Sequence, residues 1–70
     1  MKQKNILTEK ETKIVQLICM EYINQRIADE LGLSKRTVED YRERIKKKIN
    51  AKNTAGIVMY AIQSGIFKIK

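Results

Sequence analysis

The chain contains no proline, no histidine and no tryptophan, and it has a single cysteine, Cys19, and three glycines at 32, 56 and 65. Each scarcity excludes something. One cysteine makes no intramolecular disulfide, so nothing points to an oxidising compartment. Without histidine, Cys19 has none of the usual company of a metal site, and no cofactor is expected. With no histidine, glycine-rich phosphate loop or metal set, and room for only one modest core, enzyme chemistry is not expected. No apolar run approaches the roughly 20 residues of a membrane span, and no secretory apolar segment follows the first Met-Lys. Cytoplasm is therefore the default location. The aromatics are Phe67 and three tyrosines, and β-branched residues do not alternate with period two. An all-helical fold follows, read as one small domain over residues 1–70.

What the chain does have is charge of one sign. Its 15 Lys+Arg against 8 Asp+Glu give +7. Such a field attracts polyanions but is weak evidence alone, since solubility or an anionic membrane surface would account for it equally.

Local signals divide the sequence into four helices. Thr8-Glu9-Lys10-Glu11 has the form of a capping box, with the Thr8 hydroxyl accepting from the Glu11 amide and the Glu11 carboxylate reaching back. Leu7 sits just before it, at the lower end of the core. Ile14, Leu17, Ile18 and Tyr22 follow on one stripe, with Cys19 and Met20 at its edge in a packing role. A short second helix runs from about Asn24, a plausible N-cap, to Leu31. It buries Ile27, Ala28 and Leu31 and turns Arg26, Asp29 and Glu30 outward. Gly32 ends it, because a sharp turn there needs positive φ. Ser34 then caps a third helix, about 35–50, that closes near Asn50. At about 100° per residue, Val38, Tyr41, Ile45 and Ile49 face the core, and Arg36, Asp40, Glu43 and Lys47 face out, flanked by Glu39 and Arg44. A fourth helix, about 54–64, stops at Gly65. Ile57, Val58 and Ala61 close the core. Ala55, Met59 and Ile62 are left as a surplus apolar strip, which marks an interface. Phe67 in the tail can fold back onto the bundle.

The short helix, glycine corner and basic helix over residues 24–45 have the layout of a helix-turn-helix. Leu7-Thr8-x-x-Glu11, Asn24-x-x-Ile27-Ala28-x-x-Leu31-Gly32-Leu33-Ser34, Thr37-Val38-Glu39, Ile45, Lys48-Ile49 and Asn53-Thr54 occur in that order. Together they resemble the DNA-binding effector domain of LuxR/NarL/FixJ-type (GerE-like) bacterial transcription regulators, over about residues 6–65. The resemblance implies a tetrahelical fold, a third helix in the major groove of double-stranded DNA, and a fourth helix that pairs two copies. It also implies RNA polymerase as a partner. Such domains sit C-terminal to a receiver or ligand-sensing domain, as in two-component response regulators. No such domain is present in these residues, which would be a fragment of a larger regulator or a stand-alone one.

Three departures from the family pattern matter. Glycine is common where Glu21 stands, and a Ser/Thr cap where Ile23 stands, so the first junction is expected to differ locally. Tyr41 occupies a position often held by histidine. Glu39, Asp40 and Glu43 occupy positions where relatives present base-contacting residues, several of them basic.

Sorted by role, Lys35, Arg36, Thr37, Lys46 and Lys47 are the candidates for phosphate contact, the first three helped by free amides at the helix start. Arg36, Glu39, Asp40 and Glu43 are the candidates for base readout, where a carboxylate can accept from the cytosine N4 amino group. The competing reading of the acids is an ion-pair lattice of Glu39–Glu43 and Asp40–Arg44 with their basic neighbours, and Glu39–Glu43 is itself a like-charge pair. Arg42 falls nearer the core edge, as a structural or phosphate-facing residue, and Lys48 lies where its stem can pack. Two alternatives share this layout. A sigma-factor region-4-like domain has no need of the apolar fourth helix, and a protein-interaction module would use the third helix on another protein.

Overall fold

The computed structural model describes residues 6–68. The first Met-Lys and the last two tail residues, on which the readings of leader and tail partly rest, lie outside the described residues. Four helices follow one another: α1 (Glu9–Cys19), α2 (Asn24–Leu31), α3 (Lys35–Ile49) and α4 (Thr54–Ser64). The fold is all-α, and no strand occurs among the described residues.

Three of the four helices start on a side-chain cap, those of α1 and α3 as read from sequence. In α1 the capping box is complete: the Glu11 amide donates to Thr8 Oγ1 at 3.1 Å and the Thr8 amide to Glu11 Oε1 at 2.9 Å. In α3 the Thr37 amide donates to Ser34 Oγ at 3.0 Å, and in α4 the Gly56 amide donates to Asn53 Oδ1 at 3.1 Å. Each cap satisfies a donor that has no partner inside the helix. The start of α2 differs from the expectation. Asn24 is its first helical residue, and the cap position falls to Ile23, which has no side-chain acceptor to offer.

Every helix also ends on a residue in the left-handed region: Glu21 after α1 (φ +68°), then Gly32 (+68°), Asn50 (+59°) and Gly65 (+83°). After α1, the Glu21 amide donates to the Ile18 carbonyl at 2.9 Å and the Tyr22 amide to Leu17 at 3.1 Å. The same closing pattern returns as Leu33 to Ala28 and Ala51 to Lys46. These bonds satisfy carbonyls that the helix leaves open.

The core holds Leu7, Ile14, Val15, Ile18, Ile27, Ala28, Val38, Ile45, Ile57 and Ala61. A fully buried Ile stabilises by about 1.5–3 kcal/mol relative to an exposed one, so the six largest buried side chains carry most of the fold. Val15 belongs to this set although the stripe read from sequence passed over it, and α1, which carries it, packs against α4, α3 and α2. Leu17, Tyr22, Leu31, Tyr41, Ile49 and Val58 are only half-buried against the core, and Phe67 folds back as expected, its amide donating to the Ala61 carbonyl. At the α3–α4 connection a Cβ on Gly56 would come within 2.9 Å of the Ala51 Cβ, so a side chain there would push the two segments apart.

Candidate nucleic-acid interface

The α2–α3 pair is built around Gly32. Ala28 and Ile27 are fully buried, which lets α3 lie close against α2, and Val38 fills the inside of the corner. This places the whole outer face of α3 in solvent. Lys35, Arg36, Glu39, Asp40, Glu43, Arg44 and Lys47 are exposed, and Thr37 and Lys46 are half-exposed. The phosphate and base-readout candidates therefore lie together on one continuous side of one helix.

Their electrostatics differ from the expected lattice. Neither the Glu39–Glu43 nor the Asp40–Arg44 pairing forms an ion-pair network. Arg36 Nε instead approaches Asp40 Oδ1 at 3.8 Å, and Lys46 Nζ meets Glu43 Oε2 at 2.9 Å. The Lys46 hydrogen bond, reinforced by its charge, holds the Glu43 carboxyl below the ordinary carboxylate value. Both pairs lie along the solvent-facing side of α3, with the Lys46 side chain itself 26% exposed. Arg44 lies over the Tyr41 ring, 4.9 Å from its centroid. This exposed cation, fixed on the flank of the outer stripe, was not among the site candidates; its i,i+3 spacing from Tyr41 is the signal that marks it.

Two basic residues of α3 are turned to structural use. Arg42 is half-buried and donates from Nη2 to Thr54 Oγ1 at 2.6 Å, which ties the middle of α3 to the start of α4. Burial lowers its pKa, and the Glu43 charge offsets part of that. Lys48 does more than pack its stem. Its Nζ lies 2.8 Å from Oε1 of Glu11, whose side chain is only 3% exposed. Burial raises the Glu11 carboxyl, but the Lys48 hydrogen bond, the Thr8 amide, the Lys48 charge and the Thr8 hydroxyl together hold it below its ordinary value. The capping box of α1 and the last turn of α3 thus share one carboxylate.

On the far side, α4 carries no charged residue along its whole length. Met59 is 55% exposed, Ala55 is exposed and Ile62 is half-buried, while Ile57 and Ala61 are turned into the core. Among the described residues no helix is long and apolar enough to cross a membrane, and no group of three or more acidic, histidine or cysteine side chains could hold a metal ion.

Residues 5–61 match the family of bacterial regulatory proteins described as the luxR family. The chain belongs to the luxR family. Its relatives include the transcriptional regulatory protein MctR of Rhizobium johnstonii, 40% identical over 60 residues, which are 86% of this chain and 28% of that protein. The oxygen regulatory protein NreC of Staphylococcus carnosus is 38% identical over 58 residues, 83% of this chain and 27% of that protein. The uncharacterized response regulatory protein YgeK of Escherichia coli is 37% identical over 65 residues, 93% of this chain and 44% of its own length. The chain thus spans less than half of each of these relatives. Membership in the luxR family makes DNA binding in transcription regulation the function class of this helix-turn-helix.

Proposed function

We infer that this domain binds double-stranded DNA sequence-specifically, with α3 in the major groove, as the effector part of a cytoplasmic response regulator rather than as an enzyme. One observation carries the reading: the outer face of α3 is a single stripe open to solvent whose N-terminal turn presents Lys35, Arg36 and Thr37. Those three residues contact phosphate and set the register of the helix. Lys46 and Lys47 contact phosphate farther along, and Arg36, Glu39, Asp40 and Glu43 are the set from which base readout is drawn.

A single module offers a short site. Two copies related by a twofold through Ala55, Met59 and Ile62 on α4 would set their α3 helices about 34 Å apart, one turn of DNA. The absence of charge on α4 supports this use of its exposed apolar strip. In the longer regulator a receiver domain would supply the input, and RNA polymerase would be the further partner.

Titration with duplex DNA at several salt concentrations tests the proposal. Affinity should fall steeply as salt rises, with a log–log slope of about −0.9 per phosphate neutralised. Binding that is absent or insensitive to salt would overturn it in favour of a protein partner for α3. For the dimer, Met59→Glu should abolish cooperative filling of paired half-sites while leaving binding to one half-site intact.

A further inference from the structure

The three acids on the outer face of α3 are not equivalent. Asp40 is turned toward Arg36, and Glu43 is hydrogen-bonded to Lys46. Each is occupied in the free chain as the counter-charge of a cation on the same face. Glu39 is exposed and its side chain, among the described residues, has no ion pair or hydrogen bond. Glu43 stands four residues on as a like charge, while Lys35, Arg36 and Arg42 lie within one turn of it without pairing to it. The position also lies one turn inside the helix, past the N-terminal residues suited to phosphate. A carboxylate that no side chain of the free chain holds, at the centre of a surface meant for a polyanion, is the acid left to bond the ligand.

Resting on the DNA-binding reading above, we propose that Glu39 is the specificity-determining carboxylate of this domain, accepting a hydrogen bond from the N4 amino group of a cytosine in the major groove, with Asp40 and Glu43 serving only to hold Arg36 and Lys46. Cytosine fits better than adenine. The adenine amino group is flanked on its own base by the N7 acceptor, which repels a carboxylate, whereas cytosine presents N4 without an acceptor beside it on that edge. Glu39 therefore adds little to affinity for DNA in general, where it repels phosphate, and contributes discrimination at one base pair.

The experiment is selection from a random duplex pool by the wild-type chain and by Glu39→Gln, Asp40→Asn and Glu43→Gln, with thermal melts of each. Wild type should enrich a site with one fixed cytosine that only Glu39→Gln alters, to adenine, because a glutamine amide pairs with adenine N6 and N7. On the wild-type site Glu39→Gln should bind more weakly by roughly tenfold, the scale of one mismatched pair. Its melting temperature should not fall, since the substitution relieves the Glu39–Glu43 repulsion. An unaltered site with Glu39→Gln, a change at a position that was not cytosine, or a shifted base preference with Asp40→Asn or Glu43→Gln would overturn the assignment to Glu39 and leave DNA binding standing. A wild-type chain that enriches no sequence and retains no duplex would overturn the DNA reading itself, and this inference with it.

Discussion

The two corners on either side of α2 make the same turn with different means. Both put one residue at φ +68°, and both close the preceding helix with a backbone bond from the residue that follows, Tyr22 to Leu17 and Leu33 to Ala28. At the α2–α3 corner that residue is Gly32, which bears no side chain to strain, and Ser34 caps the helix that follows. At the α1–α2 corner it is Glu21, and the helix that follows starts on Ile23 without a cap. A non-glycine residue in the left-handed region costs about 1 kcal/mol, and an aliphatic cap forgoes a similar amount. The corner that aims α3 is built from residues matched to their geometry, whereas the one behind it is not. Ile23 and Met20 at that second corner are also 72% and 53% exposed. The difference teaches where this fold tolerates local cost: away from the angle that sets the outer helix.

Four substitutions break or sharpen the contrast. The largest effect is expected where α3 is held at its other end, through Lys48 and Glu11. Glu11→Gln keeps a capping box but removes the charge, and unfolding free energy at neutral pH should fall by about 2 kcal/mol, the worth of a hydrogen bond between charged groups. Because the Glu11 carboxyl has a lower pKa folded than unfolded, the native state binds fewer protons. Its contribution is therefore present above the ordinary value of 4.5 and is lost as pH falls through the lower folded value. Denaturant titrations across acidic pH should show a shallower acid limb for Glu11→Gln than for wild type.

Next is Gly32→Ala. Nothing lies within 4 Å of the added Cβ, so the cost comes from the backbone alone. A loss of about 1–2 kcal/mol in chemical denaturation is expected, and DNA affinity should drop with it if the corner sets the helix angle. At the other corner the sign reverses. Ile23→Ser supplies an acceptor for the first amides of α2, and a gain of about 1 kcal/mol in the same measurement is expected. The smallest effect is that of Glu21→Gly, a gain of a few tenths of a kcal/mol, because relief of the left-handed cost is offset by the extra freedom of glycine in the unfolded chain. Losses at both corners would show that the second is as closely matched to its geometry as the first.

How much of this was legible follows the range of each interaction. The Thr8–Glu11 box, the Ser34 cap, the corner at Gly32 and the left-handed Asn50 depend on residues within one turn of each other, and all appear as read. The departures at Glu21 and Ile23 were visible as departures, and the structure gives their form: a left-handed glutamate and an uncapped helix start. The burial of Val15, the Arg42–Thr54 hydrogen bond and the Lys48–Glu11 pair were not legible, because each needs two helices already packed. The partners of the outer acids also escaped a reading by spacing. Along one helix face each charge has more than one neighbour within reach, and spacing alone does not choose among them.

By itself, then, the sequence determined four helices, the caps of α1 and α3, most of the stripe that each helix turns inward, and the corner that makes a helix-turn-helix of two of them. All of these rest on backbone conformation and periodicity, which are local. Tertiary structure decided which basic residues of α3 remain available. It drew Arg42 to Thr54 and Lys48 to Glu11 and left Lys35, Arg36, Arg44 and Lys47 exposed on the outside. A charge on a helix has no fixed role until another helix supplies, or fails to supply, its counterpart.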